Sequence, residues 1–223
     1  LLHINEEIEK SLIRAGRGSE DVEIIAVTKT VDTDTIKRAI DLGIKNIGEN
    51  RVQELESKMP ILKDKVNYHM IGHLQTNKVR KIIKDVKLVH SLNRMSLVKE
   101  LDKRGKMNDL IVDSLIQVNV AEEETKHGLK VDQVIPFIEK ILEYENIKVR
   151  GLMTIAPHTD DEKVLRKVFR TLYKLKEDIN RRNYENLSMD YLSMGMTNDY
   201  QIAIEEGSNM IRIGTGIFGK RNY

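Results

Sequence analysis

The sequence predicts an α/β fold, a single closed (β/α)8 barrel of the TIM type, with residues 1–223 forming one domain. Three observations carry this. Short β-rich runs alternate with longer amphipathic stretches, the pattern of parallel strands joined by right-handed crossovers. Eight such runs fit within 223 residues, a length at which an α/β barrel forms as one unit. No linker, low-complexity segment or charge block interrupts the chain, which has 3 Pro and 13 Gly. An open doubly wound sheet is the alternative. Thr28-Lys29-Thr30-Val31 follows the first strand where a dinucleotide fold would carry Gly-x-Gly-x-x-Gly, and this disfavours it.

The elements follow in order. Ile4, Ile8 and Leu12 recur at helical spacing at the start. Strands are expected at 22–28, 44–48, 68–71, 88–91, 115–120, 149–154, 189–193 and 210–214. Helical patterns fall at 33–42 (Ile36, Ala39, Ile40), 131–144 (Val134, Ile135, Ile138, Ile141, Leu142) and 164–179 (Val164, Val168, Leu172, Leu175, Ile179). Asp32 and Asp160 read as N-caps, and Gly43 as the residue that ends a helix.

Composition narrows the functions. The hydrophobic fraction of 40% supports a packed core. There are no cysteines, so disulfides, thiol nucleophiles and Cys-ligated metals are excluded. The net charge of +2 gives no reason to expect a polyanion, and 4% aromatics without Trp leave few base-stacking platforms, so no nucleic-acid partner is expected. No apolar run approaches the roughly 18 residues of a membrane span, and the first residues turn acidic too early for a secretory signal. The chain does not begin with Met. A cytoplasmic monomer without a membrane partner is expected.

A barrel works at the C-terminal ends of its strands. Alternation puts Lys29 on one face with Ile25 and Val27. An ammonium held against apolar walls loses hydration, which favours the neutral amine, and that amine can condense with an aldehyde. A lysine snorkelling to solvent is the plainer alternative. After the seventh and eighth strands, Ser193-Met194-Gly195-Met196-Thr197 and Gly214-Thr215-Gly216 each open a helix. Glycine lets backbone N–H groups approach an anion, and barrels often bind phosphate there; each motif alone is also an ordinary turn. Arg212 shares a face with Met210 and Gly214. Pointing inward, it would set a cation beside a ligand ring; pointing outward, it would form a rim salt bridge. His69 and His73 lie on a strand and turn, where a spacing of four does not align two imidazoles, so no metal site is expected. Lys126-His127-Gly128 reads as a solvated turn, with Lys126 able to approach the mouth.

Taken together, these stretches resemble the pyridoxal phosphate homeostasis proteins, single-domain relatives of the alanine racemase N-terminal barrel. The matching segments are Ala26-Val27-Thr28-Lys29-Thr30, Gly48-Glu49-Asn50-Arg51-Val52-Gln53-Glu54 and His69-Met70-Ile71-Gly72-His73-Leu74-Gln75-Thr76-Asn77-Lys78. Gly151-Leu152-Met153, Leu192-Ser193-Met194-Gly195-Met196-Thr197-Asn198-Asp199 and Arg212-Ile213-Gly214-Thr215-Gly216-Ile217-Phe218-Gly219 continue the match in order. The resemblance implies a barrel holding pyridoxal 5′-phosphate (PLP) as a Schiff base on Lys29. It places Ser193, Gly195, Thr197, Gly214 and Thr215 at the phosphate, Arg212 near the pyridine nitrogen and Asn50 beside the cofactor. It implies a role in intracellular PLP balance, with PLP-accepting apo-enzymes as partners and no established reaction. His73 stands where a proline is common, Thr197 where serine is, and His127 where a small residue is.

Two other functions remain open from the residues: a PLP-dependent amino-acid racemase, and a PLP-free barrel acting on a sugar phosphate through Lys29. Racemisation needs acid/base groups on both faces of Cα. Alanine racemase takes the second from a C-terminal domain, and no such domain is expected after Tyr223.

Overall fold

Ile25, Leu88, Leu115, Met153 and Met210 sit on five different strands, yet they meet in one buried cluster. Strand side chains alternate between two faces, so closing the sheet gathers one face from every strand at the axis. The computed structural model describes residues 1–18, 20–184 and 187–219; Tyr223 lies outside them. Eight strands pair in parallel in chain order and the last closes on the first. They are β1 (Glu23–Val27), β2 (Asn46–Glu49), β3 (Asn67–Met70), β4 (Val86–Leu92), β5 (Val112–Gln117), β6 (Ile147–Met153), β7 (Tyr191–Met196) and β8 (Met210–Ile213). The helices are α1 (Leu2–Arg14), α2 (Thr33–Asp41), α3 (Val52–Leu62), α4 (Met95–Asn108), α5 (Val134–Ile141), α6 (Glu162–Arg181), α7 (Tyr200–Glu205) and α8 (Thr215–Phe218).

The other face of each strand packs on the helices. In β8, Ile211 and Ile213 point outward into a cluster with Ile4, Ile8 and Leu12 of α1 and Tyr200 and Ile204 of α7. The helical spacing read at the start of the chain is thus the stripe that docks α1. Burying each such aliphatic side chain stabilises by roughly 1.5–3 kcal/mol. Met210 and Arg212, one step out of phase, point into the barrel.

Boundaries moved where a tertiary contact intervened. Asp32 caps α2 as expected, accepting from the Thr35 N–H at 2.8 Å, and Gly43 follows the helix at φ +103°. The cap of α6 is Asp161, not Asp160; its carboxylate accepts from the N–H groups of Lys163 and Val164. The fifth strand covers Val112–Gln117 rather than 115–120. Val118 still donates to the Met153 carbonyl, but it forms an isolated bridge with Leu129, and the Asn119 N–H donates to the Leu129 carbonyl at the base of the next loop. The 131–144 stretch begins as a 3-10 turn, and α5 itself is Val134–Ile141. The seventh strand runs to Met196 instead of stopping at 193, because Met196 still pairs with Arg212 across a register shift.

Candidate functional site at the barrel mouth

Lys29 stands just beyond β1, half-buried, in the turn Thr28-Lys29-Thr30. Thr30 has φ +62°, a left-handed conformation that costs a threonine on the order of 1 kcal/mol or more and persists only when its surroundings hold it. The holding groups come from β2 and α3. Lys58 donates to the Thr28 carbonyl at 2.8 Å and to Glu49 Oε1 at 2.6 Å. Thr28 Oγ1 donates to the same carboxylate oxygen at 2.6 Å, and the Thr30 N–H donates to Glu54 Oε2 at 2.8 Å. The side chains of Lys58 and Glu49 are 8% and 0% exposed. Burial raises the Glu49 carboxyl above its ordinary range, against the opposing pull of Lys58 and Thr28. Neither Lys58 nor Glu54 was singled out from sequence. Four residues apart on one helix, such a pair looks the same in sequence whether it meets solvent or a buried partner.

Arg212 is 4% exposed. Its guanidinium donates to Ser193 Oγ at 2.6 Å and to the Thr154 carbonyl at 2.7 Å. Desolvation lowers its pKa to about 10, opposed by the charge of Asp199, so it stays a cation at neutral pH. Asp199 is buried, accepts from the Met196 N–H at 2.5 Å, and has its carboxyl pKa raised by the same desolvation. The Thr197 hydroxyl lies 3.4 Å from the N–H groups of both Gly214 and Gly216. Three donors therefore gather where β7 and β8 end.

The structure brings Lys29, Thr197, Arg212, Gly214 and Thr215 onto the wall of one cavity of about 360 Å³, together with Lys126 and Asp199. Asn50 lines a neighbouring cavity of about 230 Å³, and the two share Lys126 and Ile155. Ser193 and Gly195 do not join them. Ser193 is 0% exposed, mid-strand and turned into the barrel. Gly195 has φ +93°, and a Cβ there would sit 2.6 Å from Ala203 Cβ and 2.9 Å from Tyr200 Cα. It is the point where β7 touches α7. The reason is the longer seventh strand, which carries both residues below the mouth.

At the rim, Lys126 donates to Glu123 at 2.6 Å and to the Ala156 carbonyl at 3.0 Å. His73 and His127 stack with ring centroids 4.5 Å apart. These two imidazoles are separate peculiarities in the sequence and one contact in space. His69 is elsewhere, buried inside the barrel against His90. Among the described residues, no group of three or more His, Cys, Asp or Glu is placed to hold a metal ion, and no helix is long and apolar enough to cross a membrane.

Chemically, the cavity offers the Lys29 amine, a second amine on Lys126 that is engaged with Glu123 and Ala156, one buried cation at its floor, and a hydroxyl and backbone N–H cluster able to donate to an anion. That donor set fits a compact ligand carrying a carbonyl at one end and a phosphate at the other.

The chain matches the family described as "Alanine racemase, N-terminal domain" over residues 7–222. It is 43% identical over 224 residues to the pyridoxal phosphate homeostasis protein of Aquifex aeolicus, covering 100% of this chain and 97% of that one. Among solved structures, an unknown protein from Bifidobacterium adolescentis superposes with TM-score 0.92 at 34% identity, over 97% of this chain and 92% of its own. PipY of Synechococcus elongatus PCC7942, solved with PLP bound, superposes with TM-score 0.82 at 28% identity, over 95% of this chain and 100% of its own.

Proposed function

The chain belongs to the pyridoxal phosphate homeostasis proteins, within the alanine racemase N-terminal-domain family, and from this we propose that it binds PLP at the mouth of its barrel and holds it for intracellular PLP balance. The observation that carries the reading is the single cavity on which Lys29, Arg212, Thr197, Gly214 and Thr215 converge. PLP supplies an aldehyde that a lysine amine condenses with, losing water, and a pyridine ring that withdraws electrons. In this reading Lys29 presents that amine, fixed at its backbone by Lys58 and Glu54. Thr197, with the Gly214 and Thr215 backbone, would donate to the phosphate. Arg212 would face the ring nitrogen and oppose its protonation. Asn50 would approach from the adjoining cavity. Ser193 and Gly195 act behind this wall, by holding Arg212 and by packing β7. Apo-enzymes that need PLP are the partners this role implies, and the cytoplasm is its place.

Holding rather than turning over the cofactor is part of the proposal. Racemisation requires an acid/base group opposite Lys29, and the tyrosine that serves there in alanine racemase has no counterpart among the described residues lining either cavity. A cation against the ring nitrogen also weakens the ring as an electron sink.

The test is absorption before and after borohydride, followed by peptide mapping. A visible imine band and a reduced pyridoxyl label on Lys29 are expected; a label mainly on Lys126 or Lys78 would refute the assignment. Pyridoxal without the phosphate should bind at least tenfold more weakly, since hydrogen bonds to a charged group contribute roughly 1.5–3 kcal/mol each. Deuterium wash-in at Cα of amino acids, at several turnovers per second in PLP-saturated protein, would replace the carrier with an enzyme.

A further inference from the structure

A line of hydrogen-bonded polar groups crosses the barrel interior beneath Arg212. Ser193 Oγ accepts from the guanidinium at 2.6 Å and lies 3.1 Å from His90 Nδ1. His90 Nε2 is 3.0 Å from His69 Nδ1, and His69 Nε2 is 3.3 Å from Asn46 Oδ1. Asn67 closes the line by donating to that same oxygen at 2.9 Å. His69, His90 and Ser193 are all 0% exposed.

The two ends dictate every proton between them. Arginine only donates, so Ser193 accepts at that end. Its own proton has His90 Nδ1 as its acceptor among the described residues. His90 must then carry its proton on Nε2 and donate to His69 Nδ1. His69 likewise carries its proton on Nε2 and donates to the Asn46 carbonyl oxygen, which accepts from Asn67 as well. Both imidazoles are neutral in this scheme, and desolvation acts in that direction, lowering His69 to about 3 and His90 well below its ordinary value. Each group turns a lone pair toward Arg212. The aligned dipoles stabilise a guanidinium that water does not reach.

We propose that His90, backed by His69 and Asn46, is a positioning residue: it locks Ser193 as an acceptor toward Arg212 and thereby sets the protonation state of the ring nitrogen that Arg212 faces. The coupling to the ring rests on the PLP reading above, whereas the relay itself does not. A leucine at position 90 leaves the Ser193 proton without its acceptor in a buried site, which costs the hydroxyl its fixed orientation and the guanidinium its anchor. An asparagine there places an amide oxygen near the position of Nδ1 and can keep Ser193 in register.

The experiment has two arms. In the full chain without PLP, ¹⁵N-histidine spectra should show His69 and His90 as neutral tautomers protonated at Nε2 from pH 8 to pH 5, assigned with His69→Asn and His90→Asn. A proton on Nδ1 of His90, or ordinary titration near pH 6.5, overturns the relay. With ¹⁵N-labelled PLP bound, the wild-type ring nitrogen should read as unprotonated. His90→Leu should move it toward the protonated value, and His90→Asn should restore it. Ser193→Ala breaks the same link with little change in volume and should reproduce the shift, which covers the case in which the leucine variant fails to fold. A wild-type ring signal in folded Ser193→Ala or His90→Leu overturns the coupling. Failure of the wild type to take up PLP sinks the PLP reading and the coupling together, but leaves the tautomer result standing.

Discussion

At the end of β1 the protein fixes a backbone, while at the end of β8 it grips a side chain. The groups that hold the Lys29 turn are charged, come from outside the strand ring, and attach to the Thr28 carbonyl and the Thr30 N–H. The groups that hold Arg212 are neutral, come from inside the barrel, and attach to the guanidinium itself. In the proposed function, the difference follows from what each cation would have to do. A lysine that condenses with an aldehyde needs its amine free to move and its Cα held still. An arginine that faces a ring nitrogen needs its planar head held at a fixed angle. Charge suits the first task because the ion pair sits between β2 and α3, away from the ligand. It would be harmful in the second, where a carboxylate against Arg212 would cancel the field the arginine projects. Asp199 lines the same cavity and its charge acts on Arg212, but its Oδ1 accepts from the Met196 N–H rather than from the guanidinium.

Removing the amine should have the largest effect. Lys29→Ala should abolish the borohydride-fixed label while leaving the urea midpoint close to wild type, since the side chain is only half-buried. A label that persists would mean another lysine carries the ligand. Breaking the charged clamp comes next. Lys58→Met strands the fully buried Glu49, and losing one partner of a buried pair costs about 3–5 kcal/mol. The Glu49 pKa is already raised, and a raised carboxyl penalises the fold above its folded pKa and ceases to do so below the ordinary value of 4.5. The stability deficit of this variant should therefore shrink as the pH falls from neutral toward 4.5. A pH-independent deficit would show that the carboxylate is not the stranded charge.

The neutral relay should have the opposite acid response. His69 and His90 have lowered pKa values in the fold, so below about 6.5 the unfolded chain binds protons that the native state refuses. Stability is complete above that pH and falls as pH drops toward 3, by up to about 1.4 kcal/mol per histidine per pH unit. Urea titrations at pH 7 and pH 5 should show the loss, and the His69→Asn, His90→Asn double variant should flatten it. The smallest effect belongs to Thr30. Thr30→Gly relieves a left-handed threonine and should raise stability by up to about 1 kcal/mol. It should also slow labelling of Lys29 by freeing the turn. Faster labelling would mean the strain, rather than the clamp, presents the amine.

The (β/α)8 barrel and its eight strands were legible because hydrophobic alternation is a local signal and the crossover rule turns it into topology. The strand phase of Lys29 and Arg212 was legible for the same reason, each lying two residues beyond an apolar inner residue, Val27 and Met210; whether either side chain turns to the ligand or to solvent was left open. The seventh strand was read as ending at 193, whereas it runs to Met196: Gly195 carries the signature of a turn, yet Met196 still pairs with β8. The buried partnerships of Lys58, Glu54, His69 and His90 were not readable. A helix-surface lysine and a strand histidine look the same in sequence whether they meet solvent or a buried partner.

What this sequence determined by itself is the order of its elements and which face of each strand looks inward, since both depend on spacings of a few residues. Only the tertiary structure decided how the two cations are held. The clamp on Lys29 joins residues 21 to 30 positions apart and the line beneath Arg212 joins residues up to 103 apart. Contacts of that span form only when separate strands and helices pack together, and the energy of each depends on a burial that no local pattern encodes.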